Sequence, residues 1–93
     1  MSVSYQHGTG SVTSTAAVLV TSPTENDGML VSNRGPVSVY LGGSSVTADQ
    51  SATGGLEVVA GEKVTLSTIG NLPVDLYAVT ASGSAVVSWL ATY

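Results

Sequence analysis

Residues 16–22, "AAVLVTS", set β-branched and aliphatic side chains side by side, without the spacing of 3.6 that an amphipathic helix needs. This predicts a strand. "PTENDG" at 23–28 supplies a proline, three polar side chains and a glycine, which are turn ingredients. "MLVSN" at 29–33 predicts a second strand, closed by "NRGP", where Asn33 and Gly35 tolerate positive φ and Pro36 cannot sit inside a ladder. "VSVYL" at 37–41 alternates cleanly, sending Val37, Val39 and Leu41 to one face and Ser38 and Tyr40 to the other.

Beyond a Gly/Ser/Thr stretch, "LEVV" at 56–59 and "KVTLST" at 63–68 predict two more strands around a turn at 60–62. In the second, Val64 and Leu66 oppose Lys63, Thr65 and Ser67. "IGNLP" marks another turn before "VDLYAVT" at 74–80, and "ASGS" at 81–84 has hairpin length before "AVVSWLAT" at 85–92. Seven short strands at near-regular spacing, with no helical window, predict an all-β chain: a small antiparallel β-sandwich or barrel.

The last strand carries apolar bulk on both faces, Val86 and Leu90 on one, Val87, Trp89 and Ala91 on the other. A strand wet on one side would be half polar, so this one is expected either central in a two-layer core or covered by another chain. "PVSVYL" (36–41) and "PVDLYA" (73–78) repeat a proline, a valine, an aliphatic and a tyrosine in the same order, as two strands solving one packing problem would. Residues 1–15 are polar and lack the basic start and apolar centre of a signal peptide. They are expected to form a flexible arm ahead of a β domain over 16–93.

Ninety-three residues is one domain's worth of chain, with a thin stability margin. With no cysteine and one histidine, disulfides and metals lack materials, which leaves oligomerisation or docking. Charged residues make up only 9% of the chain, against about a quarter in ordinary domains, which suits a surface partly hidden by neighbours. Arg34 and Lys63 are the only cations in a chain of formal charge -4, so neither nucleic acid nor an anionic membrane is expected as a partner. The longest apolar run, 16–20, is far short of the roughly 20 residues that span a bilayer.

The loop "GGSSVTADQSATGG" (42–55) has paired glycines but no lysine and no following helix, so turn chemistry explains it better than a phosphate cradle. His7, the single histidine, has no Gly-x-Ser-x-Gly elbow to serve. The six carboxylates are scattered over turns and polar strand faces, and Glu25 to Gly28 lacks EF-hand spacing. No catalytic, metal-binding or cofactor-binding residue is assigned, no cofactor is expected, and the chain does not read as an enzyme.

The segments "LVSNRGPVSVYLGGSSVTA", "LEVVAGEKVTLS" and "DLYAVTASGSAVVSWL" cover about two thirds of the chain. Their Ser-Asn turn, Val-Tyr-Leu-Gly-Gly strand end, Ala-Gly-Glu turn and Leu-Tyr-Ala strand with its Ser-Gly hairpin resemble small β-sandwich bacteriophage virion proteins, most of all capsid decoration (cement) proteins. The resemblance implies a structural protein on the virion capsid surface, bound to the major capsid protein, commonly as a homotrimer. It carries no active-site residues. Tyr5, His7, Arg34, Tyr40, Tyr77, Trp89 and Tyr93 are the candidate interface residues, aromatics giving large contact area at low entropy. The second reading is a receptor- or glycan-binding module of a tail or fibre, with 40–55 as its binding loop.

Overall fold

A computed structural model describes residues 5–21, 28–66 and 75–92, which are all-β. Among the described residues there are eight strands: β1 (Tyr5–Val12), β2 (Ala17–Thr21), β3 (Gly28–Asn33), β4 (Val39–Gly42), β5 (Leu56–Val58), β6 (Lys63–Leu66), β7 (Asp75–Val79) and β8 (Ala85–Thr92). They form two four-stranded sheets, the first in the order β1-β8-β3-β6 and the second in the order β2-β7-β4-β5. Every strand pair within them is antiparallel. The small β-sandwich expected from the alternation is the architecture observed.

The pairing β1 with β8, β2 with β7, β3 with β6 and β4 with β5 describes a single long hairpin whose tip lies between β4 and β5. Winding that hairpin so that successive strands alternate between sheets gives a jelly roll. The two inner faces meet in one core. Val12, Met29, Val31, Ala85, Val87 and Ala91 come from the first sheet, and Val20, Val39, Leu41, Val58 and Ala78 from the second. Valines and alanines fill most of it, which suits two closely packed twisted sheets.

One expectation needs correcting. Residues 5–12 are not a free arm: they are β1, paired with β8 from Tyr5 opposite Thr92 to Val12 opposite Ala85. The alternation was hidden because Gly8 and Gly10 hold two inward positions of β1, and Val12 is its one buried side chain among those described. A Cβ on Gly8 would lie 2.8 Å from the Trp89 indole, and one on Gly10 would lie 3.7 Å from Leu19 Cδ1. Trp89 thus covers the strand whose own side chains are missing, a cross-strand rescue of glycine by an aromatic.

Other boundaries differ by one or two residues. β4 begins at Val39 because the Val37 carbonyl is taken by the Asn33 side-chain amide at 2.9 Å. β5 stops at Val58 because the Val59 carbonyl turns to accept the Glu62 N–H at 3.0 Å. Thr80 leaves β7, its N–H donating to the Thr13 carbonyl and its hydroxyl to the Gly83 carbonyl. The expected turn around Glu25, the 67–68 end of β6, the 69–73 turn, Val74 and Tyr93 lie outside the described residues.

Candidate interaction surface

The six sequence-predicted contact residues among those described do not converge on one site; the seventh, Tyr93, lies outside the described residues. Tyr5 lies at the start of β1, opposite Thr92, and His7 is exposed on the same strand, opposite Leu90. Trp89 is partly buried and faces inward, packed against the core. Tyr40 and Tyr77 are partly buried on the outer face of the second sheet, and Arg34 is exposed just beyond β3. Two surfaces result, one on each sheet.

The outer face of the first sheet is the more apolar. β8 lies between β1 and β3, which explains its apolar inward face, but its outward residues stay in solvent: Val86 is 43% and Leu90 39% exposed. Leu30 on β3, directly opposite Leu90, is 37% exposed. Together these two leucines, with Ser32, Ser88 and Trp89 between Ser88 and Leu90 in β8, line a shallow depression of about 120 Å³. Hydroxyls surround them, and Thr9 shares a 3.2 Å hydrogen bond with Ser88. The register places Lys63 opposite Ser32, and the Arg34 N–H bonds the Val86 carbonyl at 2.8 Å, so both cations of the chain border this face. Leu30 went unnoticed in the sequence, although "MLV" at 29–31, apolar on consecutive positions, is the signal that both faces of β3 carry bulk.

The outer face of the second sheet is built differently. Tyr40 stands opposite Val79 on one side and Glu57 on the other, and Tyr77 stands opposite Gly42, one diagonal step from Tyr40. The repeated hexapeptides therefore put their tyrosines on one face of neighbouring strands. Partial burial, and then the nearby Glu57 carboxylate with which it hydrogen-bonds, hold the Tyr40 phenol above its ordinary pKa, with a smaller push from Asp49. The depression beside this face, about 340 Å³ in volume, is lined by Ala16, Val46, Thr47, Ala48, Val79 and Thr80 among others.

The 42–55 loop folds back onto that face. Val46 is buried where Gly42 and Gly55 have no side chains; a Cβ on either would come within 2.8 Å of its methyl. At the loop's far end Asp49 Oδ1 accepts hydrogen bonds from the Ser51 hydroxyl at 2.6 Å, the Ser51 N–H at 3.0 Å and the Thr47 hydroxyl at 2.9 Å. The Ser51 hydroxyl, then its N–H, then the Thr47 hydroxyl hold the Asp49 carboxyl below the usual carboxylate range. The N–H groups of Val46, Thr47, Gly54 and Gly55 are bonded to carbonyls of the loop itself. Amides spent internally do not converge on an anion, so the loop is a self-bracing Ω-type connection and not a phosphate cradle.

Among the described residues no group of three or more His, Cys, Asp or Glu is placed to hold a metal ion. The two outer sheet faces differ in chemistry, the first carrying Leu30, Leu90 and Val86 and the second Tyr40, Tyr77 and Glu57. No protein-family model, curated protein or solved structure matches the chain.

Proposed function

We propose that this chain is a structural virion protein that binds the outside of a bacteriophage capsid and stabilises it, as a decoration or cement protein. In this reading the outer face of the first sheet lies against the major capsid protein. The observation that carries it is the exposed Leu30 and Leu90 pair on that face, with exposed Val86 further along β8 and Lys63 and Arg34, the only two cations of an otherwise acidic chain, toward that end. Such a face suits a flat partner with apolar ground and an acidic rim, where the central aliphatics supply most of the energy and the charges set orientation. Sequence resemblance to capsid decoration proteins points the same way. So does the jelly-roll topology, which recurs in viral capsid domains, although that support is analogy at the level of the fold.

Stabilisation then follows from linkage: a protein that binds assembled shell better than free subunits shifts the equilibrium toward shell. Incubating the purified chain with undecorated phage shells and sedimenting them tests this. Saturable co-sedimentation, with shells that withstand higher temperature, is the expected outcome; shells that pellet without it overturn the proposal.

The second reading, a glycan-binding module of a tail or fibre, has its own observation. Tyr40 and Tyr77 lie diagonally adjacent beside Glu57, next to a loop rich in hydroxyls. Aromatic rings with a neighbouring carboxylate suit sugar rings and their hydroxyls. Binding to a host-surface glycan array, lost in Tyr40→Ala and absent on shells, selects this reading over the first.

A further inference from the structure

The four edge strands of the two sheets are not equally defended. β5 has three residues and β6 four, and they carry Glu57 and Lys63. β2 has five, with a bulge between Val18 and Val20. Short length, charge and bulges are the devices that keep a sheet edge from pairing with another chain. β1 has none of them. It runs for eight residues, "YQHGTGSV", with no proline, no Asp, Glu, Lys or Arg, and an unbroken register against β8. Among the described strands nothing pairs with its other side.

Two further observations bear on what would pair there. All eight charged residues lie between Glu25 and Asp75, so the first 24 residues and the last 18 carry none. Two copies of an acidic chain can therefore meet along β1 while keeping their repelling carboxylates away from the seam. Among its described side chains β1 buries little of its own, since Gly8 and Gly10 take two of its inward positions and Val12 is the one buried side chain among them. A strand with so little burial of this kind gains from a second ladder.

We infer that β1 is a self-association edge. A second copy of this chain adds its own β1 antiparallel about a twofold axis, joining two first sheets into one continuous eight-stranded sheet in the order β6-β3-β8-β1-β1-β8-β3-β6. An edge that pairs with its own copy closes after two chains, so this departs from the threefold arrangement that the resemblance implies. It also carries the Leu30 and Leu90 faces of both copies onto one side of a single sheet. Strand addition of this kind draws on main-chain hydrogen bonds and needs no apolar groove.

The mass of the purified chain tests this without shells, so its failure is separable from failure of the proposed capsid role. Light scattering and sedimentation across the micromolar range should give twice 9.3 kDa at the upper end, falling to one chain on dilution. Hydrogen exchange should show the β1 amides that point away from β8 losing protection on dilution while those of β3 do not. The double variant H7K/S11K sets four like charges along the seam and should weaken dimerisation about tenfold or more. Thr65→Lys, on the opposite edge, should leave dimerisation as it was. Far-ultraviolet circular dichroism confirms that each variant is folded. A monomer throughout, a trimer, mass that grows without limit, or a dimer indifferent to H7K/S11K would each overturn the inference.

Discussion

Asn33 shows how much one side chain can organise in a core made of small residues. It is 1% exposed, and every polar atom of its amide is used. Its Nδ2 donates to the Val37 carbonyl at 2.9 Å and the Val58 carbonyl at 2.7 Å, and its Oδ1 accepts the Gly35 N–H at 2.8 Å. Its own backbone pairs with Glu62 and Gly61. The residue ends β3 in one sheet and ties it to the start of β4 and the end of β5 in the other. Replacing it by leucine keeps the bulk but strands two carbonyls and an N–H, each costing about 1–3 kcal/mol when buried. Asn33→Leu is therefore expected to destabilise by about 3–5 kcal/mol, read as a fall in the urea midpoint with little change in slope. In a domain of this size that is a large share of the whole margin. Gly8 works by the opposite means, an absence: any side chain there displaces the Trp89 indole.

At the scale of elements, β1 and the 42–55 loop each have one buried apolar side chain among those described, Val12 and Val46. β1 leans on Trp89 and β8. The loop leans on Val46 and on the hydroxyl-carboxylate cluster at Asp49. Because hydrogen bonds depress the Asp49 carboxyl in the folded loop relative to the unfolded chain, the ionised form is favoured by folding. That contribution is present above the ordinary carboxylate pKa of 3.8 and is lost as pH falls through the lower, folded-state value. Protection of the Ser51 amide should therefore hold from neutral pH down to the ordinary carboxylate range and decay below it. In Asp49→Asn the protection should be weaker at neutral pH and show no such acid step. Amide exchange followed residue by residue by NMR measures both. An acid step that survives in Asp49→Asn would assign it to another carboxylate.

For the whole molecule, the jelly-roll winding puts two chemically different faces back to back, one on each sheet. This separation makes the capsid reading divisible from the glycan reading by mutation. Leu30→Ser with Leu90→Ser trims the apolar centre of the first face, where both side chains already stand partly in water. The fold should lose little, under about 1 kcal/mol, because surface positions seldom cost more. Shell attachment should weaken by about 30- to 1,000-fold, since each leucine buried on docking is worth roughly 1–2 kcal/mol. Co-sedimentation titrations check this, and unchanged attachment would move the docking surface elsewhere.

Much of this architecture was legible in the order of residues. Alternation in "VSVYL" and "KVTL" set which side chains face inward, because a strand has a period of two and only one of its sides meets a core. Glycine, asparagine and proline marked the turns because few other residues accept those backbone angles or end a ladder. The poverty of charge and the lack of cysteine were equally plain. Three things required the folded chain. β1 was invisible because its bulk comes from Trp89, eighty-one positions away in sequence and directly opposite Gly8 in register. The grouping of Leu30 with Leu90, and the placing of Lys63 opposite Ser32 and of Arg34 against Val86 in the same sheet, arises only when β3, β6 and β8 lie side by side. The pairing order that makes the sandwich a jelly roll is likewise non-local. Local periodicity records which way each side chain must point, whereas the identity of its neighbour is decided by which strands share a sheet, a choice made by packing the whole chain at once.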